Sequence, residues 1–399
     1  MSSLIKGPHA RTSGRLRIVA TAMLVISALA FAGCGDSSDG AEAPAAAPDS
    51  VDLETVQSAV ESAYEGTYTS PPTTPTAPPA DKSLWVISCG QIAVGCSTPS
   101  DAAAEAAEAI GWDVTVYDGK LGADNAYSTG VRQAVAAKAD AIIIAAFDCA
   151  YAKAPLQEAK DAGILVVSLL AYDCDDPRVG GGDPLFTGSV IPNENETTVA
   201  EYSIAQGKMK ADWVISQTGG KAVALSLNNT GVLLGQDIAK GFDDEIKACA
   251  SCKLVSMPFT LDDIAGGALP GKVGQALLKD PDINAAMVPY DALMALGVAQ
   301  AFVRSGKNDE VATIGGEGYK PNLDLIESNG GQDAAVYEST AWFGYAAVDS
   351  LIRLFNGEPL EPAGIGSQLV DADHVPPTDE QGIIAPVDFK AAYLEAWGK

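Results

Sequence analysis

The sequence predicts an α/β protein with two doubly wound parallel-sheet lobes and a ligand cleft between them. Short apolar runs of strand length alternate with helical stretches from residue 83 onward, and the alternation repeats as a second set after residue 190. The chain has 399 residues, enough for two or three domains. Strand–helix alternation gives right-handed parallel βαβ units. Two consecutive sets therefore indicate two lobes rather than one very large sheet.

Composition and charge narrow the classes of function. Hydrophobic residues make up 47% of the chain and charged residues 19%, so the chain can bury cores. Its formal charge of −27 argues against nucleic-acid binding, because a phosphate backbone needs a Lys/Arg surface. The chain has two histidines, His9 and His374, so a mechanism with paired histidines is disfavoured. We expect no cofactor and no metal.

The first 34 residues are typical of an export signal. A basic leader without acidic residues precedes an apolar run over 18–31, which is shorter than a membrane span of about 20 residues. Small residues directly before Cys34 resemble a bacterial lipobox, so we expect removal of 1–33 and a lipid on Cys34. Phe31 stands where that pattern usually has Leu. An ordinary signal peptide cut within 28–32 is the alternative.

Residues 34–82 are predicted to join this anchor to the first lobe as a tether and stalk. Residues 35–49 are rich in Gly, Ala, Ser, Asp and Pro and predict a flexible tether. Apolar residues at helical spacing predict one short amphipathic helix over 51–65. The Pro-rich stretch 70–79 predicts extended polyproline II. We interpret the segment as a stalk that lifts the body off a membrane, and a stretch without a mechanical role is the alternative.

The strands and helices of both lobes follow from local patterns. Caps support the first helices: Ser100 is predicted to be an N-cap, and Gly111 and Gly163 are predicted to be C-caps. The first lobe is predicted to contain strands 84–88, 114–117, 141–146 and 165–169 and helices 100–110, 127–138 and 150–162. The second is predicted to contain strands 222–227, 254–257, 285–288 and 311–314 and helices 198–217, 236–248, 272–278 and 292–304. Ligands bind at the carboxyl ends of such strands, which places loops 89–99, 147–152 and 170–176 at the cleft.

If the chain is exported and Cys34 carries a lipid, six cysteines remain that could form disulfides. An even number outside the cytosol predicts disulfides. Sequence proximity favours two of the pairs, and the third joins loops that follow neighbouring strands. The predicted pairs are Cys89–Cys96, Cys249–Cys252 and Cys149–Cys174. A zinc site at Cys249-x-x-Cys252 is the alternative, but no second pair has ligand spacing.

Six pieces of the body carry a family resemblance. They are ADAIII at 139–144, LQEAKDAGILVV at 156–167, KGF at 240–242, DPDI at 280–283, MALG at 294–297 and TIGGEG at 313–318. In this order they resemble the sugar-type (ribose- and galactose-binding-like, type I) periplasmic binding proteins of ABC importers, over about 83–370. The resemblance implies three hinge crossovers, near 190–193, 339–341 and 369–372. It also implies a first lobe of 83–191 plus 340–370, a second of 192–339, and a C-terminal segment of 371–399.

The resemblance and the strand ends together locate candidate ligand-binding residues. Most positions at which ribose-type members carry pentose-reading side chains hold other residues here, such as Ala145 and Leu170. The candidates are Gln91, Phe147, Asp148, Tyr172, Asn229, Gln236, Tyr290, Asp291, Glu317 and Trp342. Carboxylates and amides would accept and donate hydrogen bonds, and aromatic rings would cover a sugar face. Without Arg or Lys at these positions, a neutral or cationic ligand is favoured. Core packing is the alternative for Phe147 and Trp342, and loop capping for Asp148.

The sequence therefore predicts an extracytoplasmic solute-binding lipoprotein that is not an enzyme. We expect a monomer, at the outer face of the cytoplasmic membrane or in the periplasm, that captures a sugar, polyol or related metabolite by hinge closure. It would deliver this ligand to an ABC permease and its ATPase. The alternatives are a ligand-sensing receptor for a chemoreceptor or sensor kinase and a secreted carbohydrate-active enzyme. A near P-loop at 266–272 lacks the Ser or Thr that must follow its Lys.

Overall fold

Two mainly parallel β-sheets with helices on their faces form most of the described part of the chain. The computed structural model describes residues 52–399. The predicted signal peptide at 1–33, the lipidated Cys34 and the tether at 35–49 lie outside the described residues. Among residues 52–399, no helix combines the length and apolar character needed to cross a bilayer.

The strands and helices are numbered separately along the chain. The strands β1 to β11 are Ser83–Ser88, Asp113–Asp118, Ala141–Ala145, Leu165–Leu169, Gly188–Ser189, Val223–Asn229, Lys253–Phe259, Ala285–Met287, Ala312–Glu317, Ala334–Tyr337 and Gln368–Asp371. The helices α1 to α13 are Leu53–Ala63, Val94–Ala109, Ala126–Ala136, Lys153–Asp161, Val199–Gln217, Leu233–Ala248, Leu261–Ala265, Leu269–Lys279, Asp291–Leu293, Ala299–Ser305, Lys320–Glu327, Thr340–Asn356 and Phe389–Ala396. Short 3₁₀ turns occupy Lys120–Asn125, Cys149–Ala152 and Pro177–Val179, and a π-helical turn occupies Met294–Val298.

Each sheet belongs to one lobe. The first sheet has the order β2-β1-β3-β4-β5 and the second the order β11-β10-β9-β8-β6-β7. All neighbouring strands are parallel except β10 and β11. The central strand β3 is Ala-Ile-Ile-Ile-Ala and is buried along its whole length, as expected for a parallel strand covered on both faces. The predicted fold class, two doubly wound lobes, is confirmed.

The chain passes between the lobes in the connections after β5, after β10 and after α12. Helix α12 returns to the first lobe, where its apolar residues join the core cluster that includes α2 and β3. Strand β11 lies in the second sheet, because it pairs antiparallel with β10. This differs from the predicted lobe boundary, which assigned residues up to 370 to the first lobe.

The C-terminal segment contacts both lobes. Gly382 forms a β-bridge with Tyr319, and the Tyr337 hydroxyl donates to the carbonyl of Ile383 at 3.2 Å, both in the second lobe. Helix α13 then packs into the first-lobe core, and the Trp397 indole N–H donates to Asp349 at 2.9 Å. The segment therefore makes a further passage between the lobes beside the hinge.

The segment that the sequence predicts to be a stalk is packed against the body instead. Helix α1 buries Val56, Val60 and Ala63 in the second-lobe core beside α5. The chain then follows the third crossover, where Thr67 N–H donates to the Ser367 carbonyl at 3.1 Å. We call residues 52–82 the N-terminal strap.

The strap ends on the first lobe. Thr76 N–H donates to the carbonyl of Ala396 at 2.9 Å, and the Trp112 indole N–H donates to the carbonyl of Pro79 at 2.8 Å. Between these ends, the Tyr68 ring stacks on Trp342 with centroids 6.0 Å apart. A polyproline-like chain forms no internal hydrogen bonds, so its backbone is free to pair with a neighbouring segment. The strap thus links both lobes alongside the hinge.

The packing of α1 gives a direct test of the strap. Val60→Ala should lower the free energy of unfolding by about 2 kcal/mol, because it removes buried methyl groups from the contact with α5. Urea unfolding followed by circular dichroism measures the change. Glu61→Ala, on the exposed face of the same helix, is the matched control and should change stability by less than about 0.5 kcal/mol. Equal stability of both variants would show that α1 does not pack on the body.

Candidate functional site

A cavity lies where the carboxyl ends of the two sheets face each other. The first lobe contributes the residues that follow β1, β3 and β4, and the second contributes the ends of β6, β8, β9 and β10. Its volume is about 110 Å³, enough for several waters but smaller than the pockets of about 300–1,000 Å³ that hold drug-sized ligands. This position at the strand ends of both lobes is the one expected for a ligand cleft. We call it the cleft.

A larger and more open groove lies on the other side of Glu317 and Glu338. It has a volume of about 790 Å³ and runs between α2, the loops after β9 and β10, and residues 379–390 of the C-terminal segment. Only its inner edge touches strand ends, so we assign the ligand site to the smaller cavity.

Three of the predicted residues line the cleft: Asn229, Tyr290 and Glu317. The Tyr290 hydroxyl is buried without a hydrogen-bond partner. Glu317 accepts a hydrogen bond from the Asp291 backbone N–H at 2.8 Å. Burial, followed by the charges of Asp291 and Glu338, raises the pKa of Glu317 well above its usual range. These three side chains therefore offer polar groups to a ligand.

Asp291 lies beneath the cleft lining and organises it. Its buried carboxylate accepts four hydrogen bonds. The donors are the backbone N–H groups of Gly316 (3.0 Å), Gly318 (2.7 Å) and Tyr319 (3.2 Å) and the side-chain amide of Gln332 (2.9 Å). Burial raises the pKa of Asp291 to about 6, although these donors oppose the rise. Glu317, inside the loop held in this way, has a φ of 71°, a left-handed value that is uncommon for a residue with a side chain.

Residues that the sequence analysis did not single out complete the polar part of the cleft. Glu338 accepts a hydrogen bond from the Gln206 side chain at 3.0 Å, and both line the cavity. Lys210 is buried behind them and donates to the Pro289 carbonyl at 2.9 Å. Burial lowers the pKa of Lys210 to about 8, against the opposing charges of Glu317, Asp291 and Glu338. The sequence offered one indication of these residues: Gln206 and Lys210 are spaced i, i+4, which places both on one face of α5.

Asp148 and Tyr172 bind the opposite lobe rather than line the cavity. The Asp148 carboxylate accepts from the backbone N–H of Leu233 at 2.9 Å. Leu233 begins α6, whose N-cap residue Val232 provides no side-chain acceptor. Asp148 therefore caps a second-lobe helix from the first lobe. Burial raises the pKa of Asp148 to about 6, and the hydrogen bonds that it accepts oppose this.

A second pair of contacts reinforces this one. The Tyr172 hydroxyl donates to Asp237 of α6 at 2.6 Å, and the Arg178 guanidinium forms an ion pair with the same carboxylate. We call Asp148, Tyr172 and Arg178, together with Leu233 and Asp237, the latch. It holds the two lobes in contact at one edge of the cleft.

The structure contains the disulfides Cys89–Cys96, Cys149–Cys174 and Cys249–Cys252. Cys89 and Cys96 line the cleft. Cys149–Cys174 joins the loops that carry Asp148 and Tyr172, and so ties together the first-lobe part of the latch. The third disulfide closes the end of α6, away from the cleft.

The remaining candidates lie away from the cavity lining. Phe147 is buried and stacks on Tyr127, with ring centroids 4.1 Å apart. Trp342 is buried in the first-lobe core and stacks on Phe389. Gln236 is half-buried on α6 and donates to the carbonyl of Thr230 at 3.2 Å. The Gln91 side-chain amide nitrogen is buried without a partner, outside the lining.

Comparisons with known proteins give consistent results. A family model described as "periplasmic binding protein domain" matches residues 91–359. The D-allose-binding periplasmic protein of Escherichia coli (strain K12) is 27% identical over 202 residues, which are 50% of this chain and 60% of that protein. The match thus spans less than two thirds of that relative's length.

Solved structures share the fold at low identity. A glucose-galactose binding protein from Geobacillus stearothermophilus has a TM-score of 0.62 at 19% identity, covering 74% of this chain and 99% of the other. A 5-methylthioribose transporter solute binding protein from Thermotoga lettingae TMO has a TM-score of 0.60 at 17% identity, covering 83% and 96%.

The hydrogen bonds of Asp291 predict a structural effect of its removal. Asp291→Ala should lower the free energy of unfolding of the unliganded protein by at least about 3 kcal/mol, because several buried donors lose their acceptor. Urea unfolding measures the loss. Asp282→Ala, in the exposed loop before β8, is the control and should leave stability nearly unchanged. A stable Asp291→Ala protein would contradict the positioning role of this carboxylate.

The latch predicts an effect on lobe closure. Tyr172→Phe removes the hydroxyl that donates to Asp237, and a hydrogen bond to a charged group contributes about 1.5–3 kcal/mol. The radius of gyration of the unliganded protein in small-angle X-ray scattering should therefore increase as more molecules open. Tyr117→Phe, on β2 and outside the latch, should scatter like the wild type. Identical curves for both variants would show that Tyr172 does not hold the lobes together.

Proposed function

The chain belongs to the family described as "periplasmic binding protein domain", and on this basis we propose that it is an extracytoplasmic solute-binding protein. It captures a small, carbohydrate-like ligand between its lobes, releases it unchanged and delivers it to an ABC permease with its ATPase. The observation that carries this proposal is the cleft itself, which lies at the strand ends of both sheets and is closed at one edge by the latch.

The charged groups that line the cleft favour a neutral or cationic ligand. Within residues 52–399, the side chains that line it include Glu317 and Glu338 but no Lys or Arg. Lys210 points its ammonium group at the Pro289 carbonyl from behind the lining. Relatives named for D-allose and for glucose and galactose support a sugar as the ligand.

Capture by hinge closure follows from the contacts across the cleft. A ligand can shift the lobes toward the closed form only if it binds that form better. In the closed arrangement the first-lobe residue Gly95 lies against the second-lobe carboxylate of Glu317, so both lobes surround the same polar group. A ligand bound to Glu317 would therefore contact both lobes.

Attachment to the membrane is a separate part of the proposal. Its support is the sequence before Cys34, with a basic leader, an apolar run and small residues. A lipid on that cysteine would hold the protein at the outer face of the cytoplasmic membrane without a transmembrane helix.

A thermal-shift panel of sugars, polyols and amines tests the binding function. A ligand present at a hundredfold excess over its Kd stabilises the protein by about 2.7 kcal/mol. The best ligand should also reduce the radius of gyration at saturation. An unchanged scattering profile with a saturating ligand would contradict hinge closure.

Glu317 is the side chain whose removal should affect binding most clearly. Glu317→Gln should weaken the best ligand of the panel at least tenfold, because a carboxyl oxygen that can accept a hydrogen bond is replaced by an amide nitrogen that can only donate one. Isothermal titration calorimetry measures the Kd. Glu327→Gln, at the exposed end of α11, is the control and should bind like the wild type. Equal affinities for both variants would remove Glu317 from the site.

A further inference from the structure

Many of the side chains that line the cleft are aliphatic, whereas a molecule hydroxylated on every side needs a partner for each hydroxyl that it buries. Leu121 of the first lobe lines the cavity together with aliphatic residues of the second lobe. We call this set the aliphatic wall: Leu121, Val232, Leu234, Leu261, Ile264 and Leu296.

Part of this wall is not core packing. Leu296 is 51% exposed. Leu261 and Ile264 are half-buried, and Ile264 also packs in part against the second-lobe core. They lie on the short helix α7 and on the π-helical turn, both at the rim of the second lobe. Apolar side chains grouped at the rim of a cavity typically mark the place where a ligand covers them.

The polar groups are concentrated at the hinge end of the cavity. Glu338 immediately follows β10, at the second crossover, and is hydrogen-bonded to Gln206. Glu317 lies at the end of the neighbouring strand β9. The Tyr290 hydroxyl and the Asn229 side chain are further polar groups of the lining, and the hydroxyl lies beside Gly235 of α6. The acidic groups of the cleft therefore lie at its hinge end, and the other end is mostly apolar, with Asn229 as its polar neighbour.

This division predicts which ligands fit. A hydroxyl that is buried against the aliphatic wall without a partner weakens binding roughly five- to a hundredfold. Each methylene group buried there instead strengthens binding about fourfold. A sugar with hydroxyls on all sides would find hydrogen-bond partners near the acidic groups but few against the aliphatic wall.

We propose that the ligand is a small sugar or polyol that carries an apolar substituent. Its hydroxyls bind Glu317, Glu338 and Gln206, and its substituent packs against the aliphatic wall. This inference rests on the proposed function and specifies the substrate class of the same site.

The test compares each free sugar with its own substituted form. Isothermal titration calorimetry is run with D-ribose, D-glucose and D-galactose and with the methyl and phenyl glycosides of each, in both anomeric forms. In at least one series, a glycoside should bind at least tenfold more tightly than its parent sugar. Leu296→Asn should reduce this preference to about threefold or less. Leu278→Asn is the matched control, since Leu278 is 82% exposed and outside the cleft, and it should keep the full preference.

The outcomes separate this inference from the proposed function. Parent sugars that bind as tightly as their glycosides in all series would overturn the apolar substituent and leave the solute-binding function intact. Equal loss of preference in both leucine variants would overturn the role of the wall. No binding by any sugar or glycoside would contradict both proposals.

Discussion

The arrangement of the cleft depends on one buried carboxylate. Asp291 accepts three backbone N–H groups at the end of β9 and so fixes the loop that carries Glu317. A buried charge is tolerated only when hydrogen bonds or opposite charges compensate its lost hydration. Here the donors lie on the same strand end, and the ammonium group of Lys210 lies nearby. Asp291 thus fixes the backbone of the site, and Glu317, the acid that faces the cavity, lies on the loop that Asp291 holds.

The sequence was sufficient for the two lobes because their strands carry strong local signals. The buried run over 141–145 and the glycines that follow α2 and α4, Gly111 and Gly163, can be recognised without tertiary information. The predicted N-cap was wrong: Ser100 lies inside α2, which begins at Val94 without a side-chain cap. The strap over 52–82 could not be recognised in this way. Its Pro-rich part has no periodicity, and its backbone pairs with residues about 300 positions away, such as Ser367. Whether such a chain packs or extends into solvent depends on those distant partners.

The site was predictable to the extent that strand ends determine it. Asn229, Tyr290 and Glu317 follow strands and line the cleft. Asp148 and Tyr172 also follow strands, but they contact the opposite lobe instead of the cavity. A side chain at the end of a strand can do either, and the sequence does not show which. Residues in the middle of a helix, as in α5, carry no strand-end signal. The cleft therefore draws residues from elements whose contribution only the tertiary structure reveals.

The disulfide Cys149–Cys174 makes part of the latch depend on the oxidation of two thiols. It cross-links the two loops that contact α6 and reduces the conformations that they can sample before the lobes meet. Thiols stay reduced in the cytosol and are oxidised outside it. A chain that is still inside the cell would hold Asp148 and Tyr172 on two independent loops. Oxidation of the two cysteines therefore joins the two first-lobe loops that contact α6 into one cross-linked unit.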